Sequence, residues 1–112
     1  MNDRELLELA AKAYGLPLGY GDGEYFYCEH GPFGPAMYGK RGYAPLQWNP
    51  LTDDGDALRL AVKLGIRIAN MNGRACAFIG LRESWEPEVD DPYAATRRAI
   101  VRAAAEIGRA QP

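Results

Sequence analysis

The chain has 112 residues, of which 47% are apolar and 25% charged, which is the size of one domain and the balance of a folding chain rather than a disordered one. Its formal charge of -2 and pI near 5.4 exclude a basic protein that coats nucleic acid by charge alone. No apolar run approaches the roughly 20 residues of a membrane span, residues 1–10 lack the charged-then-apolar order of a signal peptide, and Cys28 and Cys76 are too few for a disulfide scaffold; one domain over residues 1–112, in the cytoplasm and off the membrane, is expected.

Residues 2–14 predict a first helix: Asn2 can cap it, Asp3 and Glu5 suit its positive end, and Leu6, Leu9, Ala10 and Ala13 recur at helical spacing. Gly15 and Pro17 end it. Residues 15–47 then form an aromatic and glycine-rich zone. Of 13 glycines and 7 tyrosines in the chain, most fall here or at its border, interleaved from Tyr14 to Tyr43. Inside the zone, 24–30 reads as a strand by its aromatic content and 41–48 as a second, weakened by Pro45, while 31–40, with its prolines and glycines, reads as a loop.

Thr52 is the expected cap of a second helix, with Asp53, Asp54 and Asp56 beside its first turn and Ala57, Leu58, Ala61 and Leu64 on its inward arc. Gly65 stops it. Residues 66–71 alternate apolar and polar before Asn72-Gly73, a strong hairpin signal that pairs Met71 with Arg74, Ile68 with Ala77 and Ile66 with Ile79. Ile66, Ile68, Ala77 and Ile79 are thus expected on one buried face. An acidic connector over 82–91, exposed around Trp85 and Pro87, leads to Asp91, which caps a last helix with Pro92 at its first position. That helix is expected to run to about Ile107, with Tyr93, Ile100, Val101, Ala104 and Ile107 inward and Arg98, Arg102 and Arg109 on a solvated outer face. The fold class is α+β: an antiparallel sheet of about four strands packed with helices, in the order αββαββα.

The run from Trp48-Asn49-Pro50-Leu51-Thr52-Asp53-Asp54 through Ala57 to Leu64, with Asp91-Pro92-Tyr93 through Ala105, resembles the small tailed-phage and prophage proteins of the ABA-sandwich type, to which the NinX-like proteins look related. The resemblance covers residues 48–107 and the opening helix, over moderately specific motifs. It implies helices packed on an antiparallel sheet in a phage accessory protein of an infected or lysogenic bacterial host. It carries over no catalytic residues.

The residues themselves offer little chemistry. Asp53, Asp54 and Asp56 are the right atoms for a hard cation but the wrong spacing for a Ca²⁺ loop, and a helix start explains them. Cys28, His30 and Cys76 supply three soft ligands at most, so no metal and no cofactor are expected. No nucleophile with an orienting base and no phosphate loop is present, so an enzyme is not expected. The aromatic zone is more informative. Tyr38, Tyr43 and Trp48 beside Lys40 and Arg41 suit a ligand with a flat ring and negative charge, against the alternative that these aromatics fill the core. Arg97 falls inside the apolar arc of the last helix, so it either pairs with an acid such as Asp54 or Asp56 or holds a ligand phosphate. The expected activity is therefore sequestration of a small anionic, nucleotide-derived ligand of host defence signalling by Tyr38, Lys40, Arg41, Tyr43, Trp48 and Arg97, in a homo-oligomer. The alternative is a phage protein-interaction module, acting on a host defence protein through exposed aromatics and the acidic connector.

Overall fold

The computed structural model describes residues 1–16, 25–31, 34–39 and 47–112. Among these residues, three helices and two antiparallel three-stranded sheets make an α+β protein, as the patterning predicts, with a third strand added to each expected pair.

Helix α1 (Asp3–Tyr14) starts as read: the Asn2 side chain accepts from the Glu5 amide at 2.8 Å. It ends on Gly15, whose φ of 63° is the left-handed conformation that lets its amide close back on Ala11 and Lys12. The first sheet holds β1 (Tyr25–Cys28), β2 (Ala36–Gly39) and β3 (Gln47–Trp48), in that order. The expected loop over 31–40 thus contains a strand. Pro35 stands immediately before it and Gly39 at its end, so neither breaks the ladder.

Helix α2 (Asp54–Leu64) is capped by Asp53, not Thr52: the Asp53 carboxylate accepts from the Asp56 amide at 2.8 Å. The preceding turn shifts the start, because the amides of both Thr52 and Asp53 are already drawn onto the Asn49 carbonyl. The buried arc is rotated accordingly. Leu60 is fully buried and Leu58 is 60% exposed, the reverse of the expected placement of Leu58.

The second sheet is β4 (Arg67–Met71), β5 (Arg74–Ile79) and β6 (Arg82–Pro87), with β5 central. Asn72 (φ 54°) and Gly73 (φ 70°) form the two-residue turn, which fixes the register Met71 to Arg74 and Ile68 to Ala77. Ala77 and Ile66 are buried and Ile79 half-buried, but Ile68 is 44% exposed. β4 is the edge of the sheet, with no further strand beside it among the described residues, so its side chains have neighbours on one flank only. The first six residues of the expected acidic connector are strand β6, with Trp85 opposite Cys76; its Glu86 side chain is only 16% exposed.

Helix α3 (Pro92–Ala110) is capped by Asp91, whose side chain accepts from the Tyr93 and Ala94 amides. It runs past Gly108, which is buried against α1 rather than ending the helix. Its alanines at 95, 99, 103, 104 and 105, with Ile100 and Val101, are the spine of the core. Small side chains bring α3 close to Leu6, Leu7 and Ala10 of α1 and to Ala75 and Ala77 of β5. Tyr93, expected inward, is 70% exposed because it lies in the first turn, short of that packing. No helix among the described residues is long and apolar enough to cross a membrane.

A donor-rich corner where two helices end on the first sheet

The segment Trp48–Asp56 joins the first sheet to α2, and its polar groups are consumed in the joint. Asn49 is buried, donates from Nδ2 to the Pro35 carbonyl at 2.6 Å and accepts the Leu51 amide at 2.9 Å. Its own amide donates at 2.9 Å to Asp56, whose other oxygen takes the Arg59 guanidinium at 2.7 Å; that bond raises the Arg59 pKa. The end of the turn is clamped by Arg97. Its Nε donates to the Leu51 carbonyl at 2.8 Å and its Nη1 to Asp54 at 2.6 Å. Each of the three aspartates is therefore accounted for by a cap, a clamp or a buried bond, which is the helix-start reading.

Trp48 begins this segment and lies in the core, 6% exposed. Tyr14, the last residue of α1, stacks on it with ring centroids 5.7 Å apart and planes inclined by 26°. The Lys63 ammonium, in the last turn of α2, lies 4.7 Å from the centre of the Tyr14 ring. The Trp48 indole N–H is buried without a hydrogen-bond partner among the described residues. Among the described residues the Tyr14 hydroxyl has no hydrogen-bond partner either, and Lys63 has no carboxylate. The corner thus gathers an ammonium, a hydroxyl and an indole N–H, all able to donate, around one aromatic stack.

The residues expected to hold a ligand are not all brought together. Trp48 pairs with Met37 and Tyr38 with Gln47, so Tyr38 and Trp48 point to opposite faces of the sheet. Tyr38 is 3% exposed, its hydroxyl donates to the Gly34 carbonyl, and its ring fills the space a side chain at Gly31 would need. It is packed as a core residue, and so is Trp48, whose ring lies on Tyr14 and whose N–H is buried. Arg97 takes the acid-paired alternative. Lys40, Arg41 and Tyr43 lie outside the described residues. Tyr14 and Lys63 went unread as site residues. The signal available for them was position, since each closes a helix next to the aromatic zone.

Two surface grooves lie elsewhere. One, about 530 Å³, runs between α2, β4 and the start of α3, with Leu58, Ile68, Tyr93 and Arg97 in its lining. The other, about 1390 Å³, lies along α3 and β6 and contains Arg82, Arg98, Arg102 and Arg109. Its basic face is not simply solvated as expected: Arg98 bonds Asp3 at 2.9 Å, Arg102 bonds Glu86 and Arg109 lies 3.4 Å from Glu106. Cys28 and Cys76 are on different sheets, and burial pushes the Cys76 thiol pKa up. Compared with protein-family models, curated proteins and solved structures, the chain has no match.

Proposed function

We propose that the protein is a non-enzymatic phage accessory protein that binds and sequesters a small anionic, nucleotide-derived ligand of host defence signalling. The observation that carries this reading is the buried Trp48 N–H without an acceptor among the described residues, in a ring stacked on Tyr14, whose own ring the Lys63 ammonium approaches. A buried donor left unpaired costs about 1–3 kcal/mol, and a ligand oxygen at Nε1 would recover it. Lys63 supplies the charge that a phosphate requires, and Tyr14 and Trp48 flank in sequence the aromatic zone that contains Lys40, Arg41 and Tyr43. The phage setting, and with it the bacterial cytoplasm, rests on the resemblance of the Trp48–Asp54 run to ABA-sandwich proteins.

The test is calorimetric titration and thermal unfolding with a panel of cyclic and linear nucleotides. A ligand at one hundred times its Kd stabilises the folded state by about 2.7 kcal/mol, a rise of roughly 10 °C for a chain of this size. Trp48→Phe keeps an aromatic ring beside Tyr14 but removes the pyrrole ring together with its N–H, so it should cost the free protein some stability and weaken that ligand about tenfold relative to its own unliganded baseline; Lys63→Glu should weaken it further. No heat and no stabilisation with any member of the panel overturns the reading.

A second reading, a protein-interaction module inhibiting a host defence protein, is favoured by exposed apolar side chains: Leu58, Ile68 and Tyr93 around the smaller groove, and Trp85 on the uncovered face of the second sheet. Crosslinks from a host protein to Tyr93 or Trp85 that vanish on Tyr93→Ala or Trp85→Ala would support it. Binding unchanged in both variants would oppose it.

A further inference from the structure

We propose that the free edge of β4 pairs with the same edge of a second copy, about a two-fold axis at Ala69, joining two three-stranded sheets into one of six strands.

The second sheet has two edges, and they are built differently. On β6, Pro87 removes a donor, Glu83 and Glu86 bring charge, and Arg102 both bonds Glu86 and donates to the Trp85 carbonyl at 3.1 Å. These are the devices that keep an edge from pairing. On β4 there is no proline and no carboxylate: its residues are Arg67, Ile68, Ala69, Asn70 and Met71, all exposed except the half-buried Ala69. An edge that carries one charge and no proline, in a protein that blunts its other edge, is an edge with a use.

The register shows which backbone groups it offers. Across a two-residue turn the flanking pair, Met71 with Arg74, exchanges hydrogen bonds, and alternate pairs follow at Ala69 with Cys76 and Arg67 with Phe78. The amides and carbonyls of Ile68 and Asn70 therefore point away from β5. Antiparallel pairing about a two-fold axis at Ala69 places Ile68 against Asn70 of the partner subunit, and Asn70 against Ile68 of the partner subunit, and so satisfies all of these groups. It puts Ala69 beside Ala69 of the partner subunit and Arg67 beside Met71 of the partner subunit. No like charges face each other, so the edge is complementary to itself, as an isologous contact must be.

Five residues of strand bury less than the roughly 800 Å² per partner that stable dimers show. The remainder is available on the same flank, where Leu58 (60% exposed) and Tyr93 (70% exposed) line the groove beside Ile68, and Val62 stands one turn from Leu58. This surface is independent of the Tyr14–Trp48–Lys63 corner, so failure of one proposal leaves the other standing.

The experiment is sedimentation equilibrium of the whole chain, with hydrogen exchange of its amides. The wild type should have twice the mass of a 12.3 kDa chain, with the Ile68 and Asn70 amides protected. Ala69→Lys and Ala69→Asp each set like charges across the axis and should sediment as monomers, and mixing the two should restore the dimer. Ile68→Lys, at a side chain already 44% exposed, is the second variant should Ala69 not tolerate charge, and it too should be monomeric. A monomeric wild type, a dimer untouched by every variant, or a dimer in which the Ile68 and Asn70 amides exchange freely overturns the proposal.

Discussion

Gly108 should be the least replaceable glycine among the described residues, although it sits in the last turns of a helix where alanine is the better residue. On an isolated helix Gly→Ala would add about 1 kcal/mol. Here a Cβ would lie 2.0 Å from the Leu9 carbonyl oxygen and 2.9 Å from its carbon. That is about 1.4 Å inside ordinary contact, against α1 backbone that has no rotamer by which to move aside. The helices must separate, and the crossing they lose holds Leu6, Leu7 and Ala10. Overpacking a tight site costs about 1–3 kcal/mol, more where backbone is the obstacle. After the propensity gain of about 1 kcal/mol, a net loss of about 2 kcal/mol is expected, a fall in Tm of roughly 8 °C. Urea unfolding followed by far-UV circular dichroism measures it. A Gly108→Ala protein as stable as the wild type, or more so, would refute close packing of α1 on α3 at this point.

Asn49→Ala removes two hydrogen bonds of a buried side chain and leaves the Leu51 amide and Pro35 carbonyl to find other partners; a loss of about 2–3 kcal/mol is expected from chemical denaturation. Arg97→Ala should cost about 1–2 kcal/mol, chiefly through the Leu51 carbonyl because Asp54 is 74% exposed, and should leave nucleotide affinity unchanged in the calorimeter; lost affinity at unchanged stability would reverse the assignment of Arg97 to the turn. Alkylation of the native protein at pH 8 should modify half-buried Cys28 well before Cys76, which is 1% exposed and whose thiol pKa is raised by burial. Peptide mapping that finds Cys76 modified first would contradict the packing of Ala69 and Trp85 around it.

Local chemistry made several of these elements readable. Asn2, Gly15, Gly65, Asp91 with Pro92, and Asn72-Gly73 act through their own backbone and near neighbours, so they perform in the fold as they read in the sequence. Readings that needed a third element did worse. Strand β2 hid among prolines and glycines because what makes it a strand is pairing with β1 and β3. Strand β6 looked like a connector because an edge strand with exposed acids lacks an apolar alternation. Ile68, Leu58 and Tyr93 are apolar at the right spacing, yet they line an open groove between α2, β4 and α3 that those elements do not close. At the candidate site, Arg97 was legible as anomalous because a guanidinium inside an apolar stripe demands a partner. Trp48 was legible as important, but its stacking on Tyr14 depends on where two helices end, which residue spacing does not encode.

The pinning of Asn49 to Pro35 separates the molecule into parts of unequal endurance. Helix α3 ties α1 to the second sheet through a continuous alanine spine, whereas the first sheet meets that body through few buried side chains, chiefly Met37 and Trp48. Short openings should then release β1–β3 as a unit while α3 and β5 stay closed, giving two tiers of amide exchange within one small chain. Substitutions in the first sheet and its connections would be filtered by one asparagine and one tryptophan rather than by the whole core, so this half of the protein is free to change its surface faster than the half that holds it.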